Sequence, residues 1–173
     1  RSGFAREGDV IVLIGAPDNW GSHLGQSAYL RDILGRREGT APHVDLEREK
    51  KAGLFVLSLI RDGKVRSAHD LSDGGLALGL AEAAIKSGIG AEISAPASES
   101  LATWFGEDQG RYIVTASADA AEEIVGSSPV SAVIIGSTGG NTLKLGGSRA
   151  ISVADLGAAY EGWFPTFMGA TIN

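Results

Sequence analysis

The order of elements predicts an α/β chain, a layered sandwich whose mixed, largely antiparallel sheet is flanked by helices. Three observations carry that reading. Short β-branched or apolar runs recur at Val10–Ile14, Arg111–Ala116 and Val130–Ile135. Two longer stretches between the first two runs carry helical spacing. Thr142–Leu145 and Ala150–Val153 flank Gly146-Gly147 as the arms of a hairpin do. Hairpin joins among helix-linked strands argue against a doubly wound parallel sheet.

Taken in order, Asp9–Gly15 is an apolar run bounded by glycines, which reads as a buried strand. Ala16–Gly25 is a polar loop, and Ser27–Leu34 reads as a short helix that Gly35 ends. After a loop at Gly39–His43, a long helix opens at Asp45, with acids in its first turn, and closes at Gly63. A strand over 64–69 follows. Leu76, Leu80, Ala83 and Ala84 then mark a helix with one buried face, running to Ser87-Gly88. Ala91–Ser94 reads as a strand and Pro96–Ser100 as a loop. Asp119 and Glu122 have capping-box spacing ahead of a short helix that ends at Gly126. The last helix spans Val153–Gly162.

Composition bounds the function. With 173 residues, 43% of them hydrophobic, the chain is expected to be a single domain over 1–173. The 25 glycines are about twice the usual share of ~7%, and they fall at turns rather than in low-complexity tracts. A net charge of −6 without a basic stripe argues against a nucleic-acid partner. Zero cysteines exclude disulfides, thiolate metal sites and a cysteine nucleophile, which fits a cytoplasmic location. No apolar run reaches the ~18 residues of a membrane span. A chain that begins at Arg1 rather than Met is expected to be a piece of a longer protein. Phosphate-loop, dinucleotide and nucleophile-elbow patterns do not occur. The histidines at 23, 43 and 69 show no metal-ligand spacing.

Two polar clusters remain. The first, AHDLSDGG (68–75), sits where a strand hands over to a helix. Helix starts carry free N–H groups and partial positive charge, so an anion is one candidate occupant. The alternative is a turn in which Ser72 or Asp73 caps the helix and Gly74-Gly75 makes the bend. The second, GEDQGR (106–111), precedes a strand and reads in isolation as a charged loop.

Together, AHDLSDGG with its helix, GIGAEI (88–93) and FGEDQGRY (105–112) closely resemble the C-terminal domain of the synthetase subunit of phosphoribosylformylglycinamidine synthase. That domain type is shared with aminoimidazole ribonucleotide synthetase. GDVIVLIG (8–15), LGQSAYL (24–30) and SVADLGAAYEGWFPTFM (152–168) are similar to weaker landmarks of the same domain. A chain that stops at Asn173, without a glutaminase domain, resembles the small, multi-subunit form.

The resemblance implies an ATP-dependent ligase of purine biosynthesis. Formylglycinamide ribonucleotide is activated by ATP, and ammonia from a glutaminase partner displaces the phosphate. It implies Mg²⁺ and ATP in the full-length enzyme and none tightly bound to this piece, which alone is expected to be inactive. It implies as partners the rest of the synthetase chain with its ATP-type domains and first half, the glutaminase subunit, a small accessory subunit and nucleotide substrates. By carry-over, Asp70 is the metal-side candidate. His69, Ser72, Asp73, Gly74, Gly75, Ser27, Glu107, Asp108, Gln109 and Arg111 are the ligand- or phosphate-side candidates. Each also has a plain reading: a turn hydrogen bond for Asp70, packing for the glycines, a satisfied core position for His69, and an internal pair with Glu107 for Arg111. A structural module that docks partner subunits is the rival function.

Overall fold

The computed structural model describes residues 1–169 and bears out the predicted class; the last four residues of the expected 1–173 span lie outside the described residues. Seven strands form one sheet: β1 (Val10–Ile14), β2 (Ser67–Asp70), β3 (Ala91–Ile93), β4 (Tyr112–Ala116), β5 (Ala132–Thr138), β6 (Thr142–Leu145) and β7 (Ile151–Ser152). Their spatial order is β2-β4-β1-β5-β3-β6-β7. Every neighbouring pair is antiparallel except β3 and β6, which run parallel.

The sheet is covered on both faces, and β1 shows why its sequence is apolar at every position. Side chains alternate along a strand. Ile11 and Leu13 enter one core, against Leu76, Leu80 and Trp104. Val12 and Ile14 enter the other, against Val56, Leu59, Ala121 and Ile124. The first core is roofed by α2 (Gly75–Ser87), α3 (Leu101–Phe105) and the start of α5 (Val153–Phe167); the second by α1 (Leu46–Arg61) and α4 (Ala118–Ser127). Each such fully buried aliphatic side chain contributes roughly 1.5–3 kcal/mol of transfer free energy.

Several boundaries move, each for a local reason. Asp45 caps α1 as expected, its Oδ1 accepting the Arg48 N–H at 3.0 Å, and Gly63 adopts φ 66° just past the helix end. The short helix read at 27–34 is a single π-helical turn, Tyr29–Ile33. The N-cap of α4 is Ser117, and Asp119 lies within its first turn instead of capping it. The five-residue α3 lies where the sequence suggested only loop. Its signal is a small capping box, in which the Ser100 N–H donates to the Thr103 hydroxyl at 3.0 Å. β5 continues to Thr138, past the expected end at Ile135, because its far half pairs with β3. α5 runs on to Phe167 and carries Pro165 inside it.

Candidate functional site

The sheet brings the two polar motifs together. β2 and β4 are antiparallel neighbours, so the end of β2 meets the start of β4: Asp70 stands opposite Tyr112, and the Leu71 N–H donates to the Arg111 carbonyl at 2.9 Å. AHDLSDGG therefore leaves the sheet beside GEDQGR, although Gly74 and Glu107 are 33 residues apart.

Glu107 joins them. Its Oε1 accepts the N–H of Gly74, the residue that opens α2, and the N–H of Ala28, which opens the π-helical turn, each at 2.8 Å. The anion at the start of α2 is thus supplied by the protein itself. This replaces the expected cap: Gly74 is the N-cap residue, in a left-handed conformation (φ 75°), with no side-chain cap bond from Ser72 or Asp73. Gly75 is also left-handed, and a Cβ there would lie 2.4 Å from the Gly106 carbonyl oxygen. Both glycines are set by backbone conformation and close approach.

Asp108 and Arg111 fix the loop itself. The Asp108 carboxylate accepts the Ser22 N–H at 2.8 Å, the Ser22 hydroxyl at 2.5 Å and the His23 N–H at 3.1 Å. Burial pushes its carboxyl up, but those hydrogen bonds and Arg111 outweigh it and hold the group below the usual carboxylate range. Arg111 is only 1% exposed. Its Nε donates to the Asp108 carbonyl at 2.9 Å, Nη1 to that of Trp20 at 2.8 Å, and Nη2 to that of Gly106. Burial lowers its pKa, and nearby Asp108 opposes the shift. The phosphate role implied for Arg111 is therefore corrected: the guanidinium is a clamp on three carbonyls. The anticipated Arg111–Glu107 pair is not among the ion pairs of the described residues.

The other sequence candidates divide by exposure. Asp70, Ser72 and Asp73 are exposed at the mouth of the turn. The Ser72 hydroxyl donates to Asp70 Oδ2 at 3.2 Å. The Asp70 side chain is 71% exposed, and its Oδ1 lies 3.7 Å from His69 Nδ1. His69 turns toward α2, with Nε2 3.0 Å from Glu82 Oε2 and a buried Nδ1 that has no hydrogen-bond partner. Ser27 is fully buried, and its hydroxyl accepts the Leu30 N–H of the π-helical turn at 3.3 Å. Gln109 is exposed, and its carbonyl accepts Arg48 Nη2 at 3.2 Å.

Among the described residues no group of three or more His, Asp or Glu side chains could hold a metal ion. The exposed carboxylate of Asp70 is the ligand type that Mg²⁺ takes, since that ion keeps waters and phosphate oxygens around one or two protein carboxylates. Among the described residues no helix is long and apolar enough to cross a membrane.

Sequence reasoning passed over three arginines. Arg31, Arg36 and Arg37 line one cleft of about 340 Å³ with Gln26. The carboxylates of Asp73 and Glu107 add to the attraction felt by Arg31, which Asp32 chiefly holds above its usual pKa. The interleaved acids Asp32 and Glu38 hid this cluster in a count of charges. Three cations within seven residues of so acidic a chain were the available signal.

Comparison with known proteins converges on one group. The family model for the C-terminal domain of AIR synthase related proteins matches residues 6–145. Phosphoribosylformylglycinamidine synthase subunit PurL of Chelativorans sp. (strain BNC1) is 55% identical over 97% of this chain. The same subunit of Rhizobium meliloti (strain 1021) is 51% identical over 99%. The chain spans 24% of the length of each. Among solved structures, Thermotoga maritima PurL complexed with FGAR shares the fold, with a TM-score of 0.70, 20% identity and coverage of 90% of this chain and 29% of that one. Escherichia coli HypE, a hydrogenase maturation protein, does so at a TM-score of 0.57 and 19% identity, covering 88% and 51%.

Proposed function

The chain belongs to the family of AIR synthase related proteins, C-terminal domain, and from that premise we propose that it is the C-terminal domain of a phosphoribosylformylglycinamidine synthase synthetase subunit. The observation that carries the reading is 55% identity to a PurL subunit over 97% of the chain. In this reading residues 1–173 act as one unit of a cytoplasmic, ATP-dependent ligase. The unit works only with the rest of the synthetase chain and with glutaminase and accessory subunits; PurL of Thermotoga maritima has been solved with ATP and with FGAR and within a PurLQS assembly.

The chemistry assigned to this chain's own residues is modest. Asp70 offers a carboxylate to Mg²⁺, which when bound neutralises phosphate charge. Asp73, Ser72 and Gln109 are the exposed polar groups free to meet a nucleotide or substrate. Glu107, Asp108 and Arg111 position the loop that carries them. The isolated chain has no turnover, because most groups that grip ATP belong to the remainder of the protein.

The test is Asp70→Asn in the intact protein, read as turnover, Mg²⁺ dependence and thermal stability. A fall in turnover with a raised Mg²⁺ requirement and unchanged stability supports a metal-side role. Unchanged turnover refutes that role and favours the rival reading of a structural module.

A further inference from the structure

The donor that a phosphate would seek at the start of α2 is already taken by Glu107, so positive charge for an anion must come from elsewhere on this face. We propose that the cleft lined by Gln26, Arg31, Arg36 and Arg37 binds the phosphate groups of a small-molecule anion. The proposal rests on the preceding reading only in expecting that anion to be a nucleotide; the preference for phosphate follows from the arginines themselves.

The cleft stands on a fixed backbone. The Gln26 N–H donates to the Glu38 carbonyl at 3.0 Å and its Nε2 to the Gly39 carbonyl at 2.8 Å. The Arg36 N–H donates to the Leu30 carbonyl at 2.8 Å. These bonds draw the two ends of the segment together and hold Gln26 at φ 60°, a conformation that non-glycine residues rarely take. The segment is fastened to the α2 turn through Ala28 and Glu107. The arginines thus occupy a defined place, with Arg31 near the carboxylates of Asp73 and Glu107.

Charge and geometry suit phosphate. Arg31 is held by Asp32 in a two-bond pair, at 2.8 and 2.9 Å, and Arg36 pairs with Glu38. Arg37 has no hydrogen bond or ion pair among the described residues. Asp73 and Glu107 also act on Arg31, so Arg37 is the guanidinium most open to an added anion. Exposed pairs such as Arg36–Glu38 are weak and exchange readily. Guanidinium planes bind phosphate oxygens through two parallel hydrogen bonds, a geometry that a lysine cluster lacks. The cleft therefore offers planar, charged donors to phosphate oxygens.

The experiment is calorimetric titration of the 173-residue chain with inorganic pyrophosphate, ATP and AMP, with circular dichroism as the control for folding. The proposal predicts saturable pyrophosphate binding that weakens by about ten-fold or more in Arg36→Ala/Arg37→Ala and further in Arg37→Glu, since each lost charge-assisted contact is large on this scale. Lys64→Ala, an exposed cation elsewhere, should change nothing. Tighter binding of ATP and pyrophosphate than of AMP identifies a phosphate chain as the ligand; equal binding of AMP identifies a monophosphate ester. No saturable binding by the unaltered chain, or equal binding by the arginine variants, overturns the proposal. Such a result with normal turnover of the intact protein would leave the enzymatic reading standing. Retained, arginine-dependent binding in a protein without turnover would do the reverse.

Discussion

Arg111→Met should be the most damaging single change at the loop that carries the second motif. The substitution keeps much of the aliphatic volume and removes the donors that satisfy the carbonyls of Trp20, Gly106 and Asp108. A buried acceptor left unpaired costs about 1–3 kcal/mol, so three give a gross loss of roughly 3–9 kcal/mol. Two effects reduce it. A desolvated charge is no longer buried, which favours the variant, and water can reach the half-buried Asp108 end. A net loss of about 3 kcal/mol remains, a large share of the ~5–15 kcal/mol available to a typical domain. The assay is equilibrium unfolding in urea, with hydrogen exchange at the Ser22 and His23 amides. The midpoint should fall at unchanged slope, and both amides should lose protection because the Asp108 carboxylate that holds them is no longer anchored. Arg111→Lys, which cannot span three acceptors, should recover only part of the loss. A net loss below about 1 kcal/mol for Arg111→Met, with protection intact, would refute the clamp.

Glu107→Gln should cost under about 1 kcal/mol, because an amide oxygen still accepts both N–H groups, whereas Glu107→Ala should cost about 1.5–3 kcal/mol in the same urea assay. Gly75→Ala should cost more than about 1 kcal/mol, read as a fall in thermal midpoint, because φ +64° and the Gly106 carbonyl both exclude a Cβ. Asp108 has a folded-state pKa below its unfolded one, so its contribution is complete above the unfolded value of ~3.9 and fades as pH falls through the lower folded value. Stability measured from pH 5 down to pH 2 should therefore fall less steeply in Asp108→Asn than in the parent, from a lower starting point; parallel curves would refute this.

What the sequence disclosed follows from the range of each interaction. β1 was legible because five consecutive apolar residues suit a strand buried on both faces. α1 was legible because Asp45 and Gly63 mark its ends locally. The resemblance drew candidates from both polar motifs but did not reveal the residue that joins them. Glu107 caps an element 33 residues away, and no local rule separates it from the nearer candidates Ser72 and Asp73. The resemblance offered Arg111 a phosphate, and its plain reading offered Glu107; only the fold supplies the three carbonyls it holds. α3 is too short for a periodic signal. The arginine cleft stayed hidden because Gln26 reaches Arg36 and Arg37 only through a closed loop.

The most direct test of the assignment is product formation by the intact protein that carries this chain, supplied with formylglycinamide ribonucleotide, ATP, Mg²⁺ and ammonia. Formylglycinamidine ribonucleotide should appear in step with ADP release, and neither product should form from the 173-residue chain alone. An intact, folded protein that makes no formylglycinamidine ribonucleotide, or a chain that makes it unaided, would contradict the account.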